Sequence, residues 1–286
     1  MNNKNAIELK GVTKSYKDFT LGNINLSLPS GSIAGLVGEN GAGKSTIIKI
    51  ILGALQADSG EITVLGHNIK EKGFDCVKKD IGAVLDESYF PEMITARQVG
   101  SILKATYDNF DEKKYNDYLK RFMIPENKLF REYSRGMKMK LGIASALSHY
   151  PKLLLLDEAT SGLDPLIRDE LLEAFSDFTE DENNTVLISS HIVSDLEKIC
   201  DYIIFLHKGK IVFFEEKDKL LDEYAIIKLT SENFEAVDPE SVIGKRENKY
   251  YTEALIRKDG IPKNFKCEHT TLEDIILFFA KGEELK

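Results

Sequence analysis

The stretch Gly38-Glu39-Asn40-Gly41-Ala42-Gly43-Lys44-Ser45-Thr46 decides the fold of this 286-residue chain. It has the spacing G-x-x-x-x-G-K-[ST], in which a glycine-rich backbone wraps a phosphate group. The apolar run Ser32–Val37 before it predicts a buried strand, and Ile47–Leu55 after it predicts an apolar helix. Strand, loop and helix in this order are the context that a phosphate-binding loop requires.

Each residue type in the loop suits a nucleotide phosphate. Glycines let backbone N–H groups converge on the β-phosphate, and the helix N-terminus adds a favourable dipole. Lys44 can reach the β- and γ-phosphates, and the Ser45 hydroxyl can bind Mg²⁺. We therefore expect all nine residues of the loop to contact nucleotide: Gly38, Glu39, Asn40, Gly41, Ala42, Gly43, Lys44, Ser45 and Thr46.

Two acids follow a second buried strand. Leu153–Leu156 is wholly apolar and ends at Asp157 and Glu158. We expect Asp157 to hold Mg²⁺ through water, and Glu158 to act as the general base that accepts a proton from the attacking water. The alternative is a purely structural Asp157.

The spacing of apolar residues divides the chain into parts with different predicted secondary structure. Short strands dominate the first third, helical spacing runs from about 95 to 147, and short apolar strands then alternate with helices up to about 214. Such alternation predicts an α/β fold with a mainly parallel sheet. We place a nucleotide-binding domain at 1–215, with a helical subdomain at about 88–150, and a C-terminal accessory or dimerisation region at 216–286. The alternative is that this tail completes the same domain.

Two helix starts have capping signals. Asp164-Pro165 offers a side-chain cap followed by proline at the first helical position. Ser194-Asp195-Leu196-Glu197 fits a capping box.

Composition restricts the partners. The chain has 38 Lys and Arg against 47 Asp and Glu, a net charge of −9, which disfavours broad nucleic-acid binding. The cysteines are far apart and form no CxxC pair, as expected in a reducing cytosol.

The longest apolar runs, of about six residues, are too short for a membrane span, which needs ~20. Any membrane spans would belong to another chain.

Residues 6–215 resemble the ATPase subunit of ATP-binding-cassette (ABC) transporters. Tyr133-Ser134-Arg135-Gly136-Met137 stands at the position of the family's signature, Leu-Ser-Gly-Gly-Gln. The resemblance implies that Ser134 and Gly136 face the γ-phosphate of a nucleotide on the opposite subunit. Arg135 and Met137 depart from the signature.

Three further sites follow from the resemblance. It implies that Tyr16 stacks on adenine, although a core tyrosine is the alternative. Ser161-Gly162-Leu163-Asp164 is similar to the loop that crosses the dimer interface, which adds Asp164 to the nucleotide contacts. His191 resembles the switch histidine that touches the γ-phosphate, and we expect it to be catalytic with Lys44 and Glu158.

One departure affects the metal. Asp86 replaces the family's magnesium-binding glutamine at the end of the strand Ile81–Leu85. A carboxylate also binds Mg²⁺, so we expect Asp86 to join Ser45 and Asp157 as a metal ligand. The alternative is a surface acid with water at the metal.

The segment after Asp86 is aromatic and apolar. In the family, this region grips a short helix of the membrane subunit, which implies docking contacts from Tyr89, Phe90 and Met93. The alternative is buried packing within the helical subdomain.

The resemblance implies a P-loop NTPase (RecA-like) core with an antiparallel β portion, a helical subdomain and a small C-terminal α+β appendage. It also implies a homodimer, or a heterodimer with a sister ATPase, that sandwiches two ATP with Mg²⁺. This dimer would drive a transmembrane permease from the cytoplasmic face of the membrane.

The sequence Thr271–Leu277 is similar to the end of ATPases in the ABC-2 exporter group, which implies export of a peptide, toxin or drug. One alternative is a soluble ABC ATPase for assembly or nucleic-acid remodelling without a permease, although no nucleic-acid partner is expected. Another is a regulatory nucleotide-binding module that does not turn over.

Overall fold

Six strands form the central sheet of the computed structural model, which describes residues 5–85, 90–234, 237–247, 249–261 and 265–282. The strands are β3 (Ile33–Val37), β6 (Ile81–Val84), β7 (Leu153–Asp157), β8 (Thr185–Ser190), β9 (Tyr202–His207) and β10 (Lys210–Glu216). Their spatial order is β10-β9-β3-β8-β7-β6. Five strands are parallel, and β10 is antiparallel to β9.

Both faces of this sheet are buried. Leu154 and Leu156 of β7 belong to one hydrophobic cluster, and Leu153 and Leu155 belong to another. Side chains alternate between the two faces of a strand, so an uninterrupted apolar run is required wherever both faces are covered. This explains why the four consecutive leucines predict a strand rather than a helix.

An antiparallel sheet covers one face. It contains β1 (Asn5–Ser15), β2 (Thr20–Pro29), β4 (Ser59–Val64) and β5 (His67–Asn68), in the order β2-β1-β4-β5. Two helices share its hydrophobic cluster: α1 (Lys44–Ile51), which follows the phosphate-binding loop, and the short α2 (Phe74–Val77). This is the predicted antiparallel β portion.

Helices cover the other face. The subdomain predicted at about 88–150 contains α3 (Ala96–Thr106), α4 (Glu112–Arg121) and α5 (Arg135–Leu147). Two more helices, α6 (Pro165–Thr179) and α7 (Val193–Ile199), join the parallel strands. Asp164 caps α6 as predicted, since its carboxylate accepts a hydrogen bond from the Ile167 N–H group.

The C-terminal part is an α+β unit. Its elements are α8 (Lys217–Glu223), β11 (Tyr224–Leu229), α9 (Ser231–Phe234), β12 (Val242–Glu247), β13 (Thr252–Arg257) and α10 (Leu272–Gly282). The three strands form an antiparallel sheet ordered β11-β13-β12, against which α10 packs. Helix α10 packs against α7, and Leu272 and Phe278 join the cluster of the central sheet. The division at 216 stays a prediction.

The predicted capping box at Ser194 is wrong. Helix α7 begins at Val193 with Ile192 as its N-cap, so Ser194 lies inside the first turn. The Glu197 carboxylate instead accepts a hydrogen bond from the Leu272 N–H group, at the start of α10. Glu197, which the sequence predicts to cap its own helix, therefore caps the start of α10, 75 residues later in the chain.

The described ranges contain no helix that combines the length and the apolar character needed to cross a membrane.

Candidate active site

Three strand ends meet at one edge of the central sheet. Strand β8 lies between β3 and β7, with Val37 opposite Ser190 and Asp157 opposite Ser189. Carboxyl ends of neighbouring parallel strands form the usual ligand crevice of open α/β sheets. The phosphate-binding loop, the two acids and His191 each follow one of these strands, so the register brings them together.

Lys44 lies at the start of α1 and is only 6% exposed. Its Nζ donates hydrogen bonds to the carbonyl oxygens of Gly38 (2.7 Å) and Glu39 (3.3 Å). The same Nζ lies 3.3 Å from Oε1 of Glu158. The lysine is thus fixed between the loop that contains it and the predicted general base.

Gly38 starts the loop where no side chain fits. A Cβ at this position would lie 2.2 Å from the carbonyl oxygen of Leu206 in β9. Because glycine has no side chain, the loop backbone can lie in close contact with the end of β9.

Glu158 has a strained backbone, with φ of 54° in the left-handed region. Its N–H group donates to both oxygens of Ser189, at 3.0 Å to Oγ and 3.1 Å to the carbonyl. Its carboxylate Oε2 accepts a hydrogen bond of 2.7 Å from Nδ1 of His191. The exposed His191 therefore hydrogen-bonds to one carboxylate oxygen, and the buried Lys44 forms an ion pair with the other.

Asp157 and Glu158 share Ser189, a residue that the sequence analysis missed. The buried Ser189 hydroxyl donates to Oδ1 of Asp157 at 2.6 Å and accepts from the Glu158 N–H group. One hydroxyl thus orients both acids. The available signal was the polar pair Ser189-Ser190, which directly follows the buried apolar residues 186–188 of the same strand.

Oxygen donors near the loop suit a magnesium ion. Ser45 lies in the first turn of α1, which packs against β7, and Asp157 ends that strand. A hydroxyl and a carboxylate are hard oxygen ligands, and Mg²⁺ binds proteins through one or two carboxylates together with substrate phosphates. The third predicted ligand, Asp86, lies outside the described residues.

Tyr16 packs against Phe19, which in turn lies against Gly43 of the phosphate-binding loop. Its ring centroid lies 6.3 Å from that of Phe19, and a Cβ at Gly43 would lie 3.0 Å from Cζ of Phe19. With 46% of its surface exposed, Tyr16 presents a ring to solvent beside the loop. The base-stacking role of Tyr16 stays a prediction, and its contact with Phe19 was not anticipated.

Ser134, Gly136 and Asp164 form a second group. Ser134 caps α5 by accepting a hydrogen bond from the Met137 N–H group. A Cβ at Gly136 would lie 2.8 Å from Ile167 Cδ1, so the start of α5 packs on the start of α6. The loop that ends at Asp164 is also bonded to the site around Glu158. The Ser161 N–H group donates a hydrogen bond of 3.0 Å to the Glu158 carbonyl.

The predicted docking residues differ in exposure. Phe90 is partly buried and packs edge-on against Phe130, with ring centroids 5.6 Å apart, whereas Met93 is 60% exposed. Packing within the helical subdomain, the predicted alternative, therefore describes Phe90. Tyr89 lies outside the described residues.

Known proteins match this chain over most of its length. The family described as ABC transporter matches residues 21–161. The ABC transporter ATP-binding protein YtrB of Bacillus subtilis is 31% identical over 92% of this chain and 90% of its own length. The bacitracin transport ATP-binding protein BcrA of Bacillus licheniformis is 31% identical over 88% and 84%. The lantibiotic transport ATP-binding protein SrtF of Streptococcus pyogenes is 35% identical over 74% and 91%.

Solved structures match the fold as well. The ATP-binding subunit of an ABC transporter superposes with a TM-score of 0.68 and 26% identity, covering 75% of this chain and 91% of that chain. The chain therefore belongs to the ABC transporter family, as an ATP-binding and ATP-hydrolysing subunit.

Proposed function

We propose that this chain binds ATP with Mg²⁺, closes as a dimer around two nucleotides, and drives a separate membrane permease that exports a peptide, toxin or drug. The observation that carries the proposal is the position of the Glu158 carboxylate, between Lys44 of the phosphate-binding loop and His191.

In this proposal, Glu158 accepts the proton of the attacking water. Phosphoryl transfer requires mainly positioning and charge stabilisation, together with a group that orients the nucleophile. The backbone strain and the Ser189 hydrogen bonds fix the orientation of Glu158. His191 holds the carboxylate from one side, while Lys44 is placed to stabilise the β- and γ-phosphates.

Mg²⁺ would bind to the Ser45 hydroxyl and, through water, to Asp157, and Asp86 is proposed as a further ligand. When bound, the ion neutralises phosphate charge. The hydrogen bond from Ser189 to Asp157 keeps this carboxylate directed in a nearly solvent-free position.

The proposed dimer interface contains the second group of residues, Ser134, Gly136 and Asp164. Gly136 is buried where the starts of α5 and α6 pack together, and Ser134 and Asp164 at these two helix starts are exposed. We propose that they contact the nucleotide bound by the opposite subunit, which is either a second copy or a sister ATPase.

Docking to the permease would use the exposed Met93, with the partly buried Phe90 supporting the segment, and Tyr89 is proposed as a further contact. The names of BcrA and SrtF record transport of bacitracin and of lantibiotics, both of them antimicrobial peptides. Similarity to these two proteins supports export of a related compound. The complex would lie on the cytoplasmic face of the membrane.

The test is affinity purification of the full chain from membranes of its native cell. Recovery of a multi-span membrane protein, lost in Met93→Glu, is the expected result. Met123→Glu is the matched control, because Met123 is 77% exposed at the end of α4. Recovery of a soluble partner instead would contradict the permease assignment, and equal recovery with both variants would contradict docking at Met93.

A further inference from the structure

Helix α7 begins two residues after His191, so the position of this helix affects where the histidine lies. Two hydrogen bonds hold the turn between them: the Ile192 N–H group donates to Ser190 Oγ at 3.0 Å, and the Asp195 N–H group donates to the Ile192 carbonyl at 3.2 Å. Isolated helices shorter than about 12 residues are marginal in water, and α7 is shorter than that. Contacts with other elements must therefore keep α7 in place.

Two hydrogen bonds join the last turn of α7 to the C-terminal unit, which runs from α8 to α10. Oε2 of Glu197 accepts a bond of 3.1 Å from the Leu272 N–H group at the start of α10. The Glu197 carbonyl accepts a bond of 2.9 Å from Nζ of Lys217, the first residue of α8. A single residue of α7 is thus bonded to the first and the last helix of the C-terminal unit.

Apolar packing supports the same junction. Helix α10 packs against α7, and Leu196, Leu272 and Ile275 are fully buried in one hydrophobic cluster. Apolar burial favours this contact but has no preferred direction. The bonds to Glu197 are directional, and the carboxylate lies at the N-terminus of α10, where the helix dipole favours a negative charge. Glu197 therefore fixes how α10 and α7 are aligned.

The position of His191 depends strongly on its backbone. Its side chain is 45% exposed, so surrounding groups cover it only in part. The hydrogen bond of 2.7 Å from Nδ1 to Oε2 of Glu158 forms only if the backbone places the imidazole within reach. A shift of α7 would lengthen this bond.

We propose that Glu197 is a positioning residue for ATP hydrolysis, through which the C-terminal unit holds α7 and keeps His191 on the Glu158 carboxylate. The inference rests on the proposed role of His191. It makes the C-terminal unit a part of the hydrolytic machinery, although none of its residues is placed at the nucleotide.

Steady-state ATP hydrolysis by the full chain with Mg²⁺ tests this role. Glu197→Ala is expected to lower kcat roughly two- to tenfold, the effect of one lost hydrogen bond, and to leave the KM for ATP unchanged. Glu197→Gln keeps an oxygen that can accept the Leu272 N–H bond, and should recover part of kcat. Glu273→Ala removes an exposed carboxylate in the first turn of α10 and is the matched control. Equal kcat values for Glu197→Ala and the control would overturn the inference.

Combination with His191→Ala separates positioning from a general loss of stability. In a chain that already lacks the imidazole, Glu197→Ala should lower kcat no further, because its effect is exerted through that group. Losses that multiply would overturn the inference. A wild-type kcat in His191→Ala would overturn the proposed role of His191, and this inference with it.

Lys217→Met is a second variant, which serves if Glu197→Ala does not fold. It keeps the aliphatic part of the side chain and removes the donor to the Glu197 carbonyl. It should lower kcat in the wild-type background and have no effect in the His191→Ala background. Lys219→Met is its control, because Lys219 is exposed on the same helix and pairs with Glu215. Equal kcat values for the two lysine variants would contradict a role of the C-terminal unit in hydrolysis.

Discussion

Nδ1 of His191 lies 2.7 Å from Oε2 of Glu158, while Nζ of Lys44 lies 3.3 Å from Oε1 of the same carboxylate. The two contacts come from different strand ends of one sheet. They fix a carboxylate that also sits on a strained backbone, and they make Glu158 the centre of the site.

His191→Ala should lower kcat on the order of a hundredfold, because Glu158 loses the hydrogen bond that orients it. ATP affinity should change little, since the phosphate-binding loop is untouched. Steady-state hydrolysis and equilibrium ATP binding would be measured together. His67→Ala, at an exposed position of β5, is the control. Equal losses of affinity and turnover would show that His191 acts mainly in binding.

Lys44→Ala should weaken ATP binding about ten- to a hundredfold, the effect of losing one hydrogen bond from a charged group. Titration with a fluorescent ATP analogue measures this loss. Lys49→Ala is the matched control, because Lys49 lies on the same helix with its side chain exposed. Equal affinities for both variants would exclude Lys44 from phosphate binding.

Ser189→Ala should lower the free energy of unfolding by about 1–3 kcal/mol, because it leaves the buried Asp157 carboxylate without its hydroxyl donor. Turnover should fall as well, since the Glu158 N–H group loses one acceptor. Urea unfolding and hydrolysis assays test both effects. Ser176→Ala removes a hydroxyl that bonds within α6, and should have a smaller effect on each. Unchanged turnover in Ser189→Ala would contradict the orienting role.

Stability should decrease on acidification because of His149. Burial lowers the pKa of this imidazole from its usual 6.5, against the weaker opposing effect of the Ile81 carbonyl. The unfolded chain therefore binds the proton more readily. The stability that the neutral ring contributes is present above about pH 6.5 and is lost as the pH falls through the folded-state pKa.

His149→Phe tests this because phenylalanine retains the stacking on Tyr107, at 4.0 Å between ring centroids, but cannot titrate. Urea unfolding at about pH 7 and pH 5 should show a smaller loss in the variant, by at most ~1.4 kcal/mol per pH unit. His67→Gln, an exposed histidine, should behave like the wild type. An identical slope for His149→Phe would refute the assignment.

The central sheet was predictable because its strands are buried on both faces, as the run Leu153–Leu156 illustrates. The strand β12 (Val242–Glu247) was missed, since it is charged over its second half and half-exposed at its start. The helix after the phosphate-binding loop begins at Lys44, three residues before the apolar pattern at Ile47. Hydrophobic spacing cannot mark a first turn that is built from polar loop residues.

The site was predictable where spacing and context coincide, as at Lys44 and at the strand end before Glu158. The role of Ser189 was not, because it depends on which strand lies beside β7 and in which register. The contact of Gly136 with Ile167 was hidden for a similar reason, since packing of α5 on α6 creates it. Residues whose roles arise from pairing between distant segments leave no local signal in the sequence.

Glu158→Gln provides the most direct test of the account. It preserves size while removing the proton acceptor, and Glu71→Gln, at an exposed carboxylate outside the site, is the matched control. ATP hydrolysis and ATP-dependent dimerisation would be measured for both variants and the wild type. We predict that Glu158→Gln loses at least about a hundredfold in turnover and accumulates as an ATP-bound dimer. Turnover at the wild-type rate would contradict Glu158 as the base, and hence the mechanism built around it.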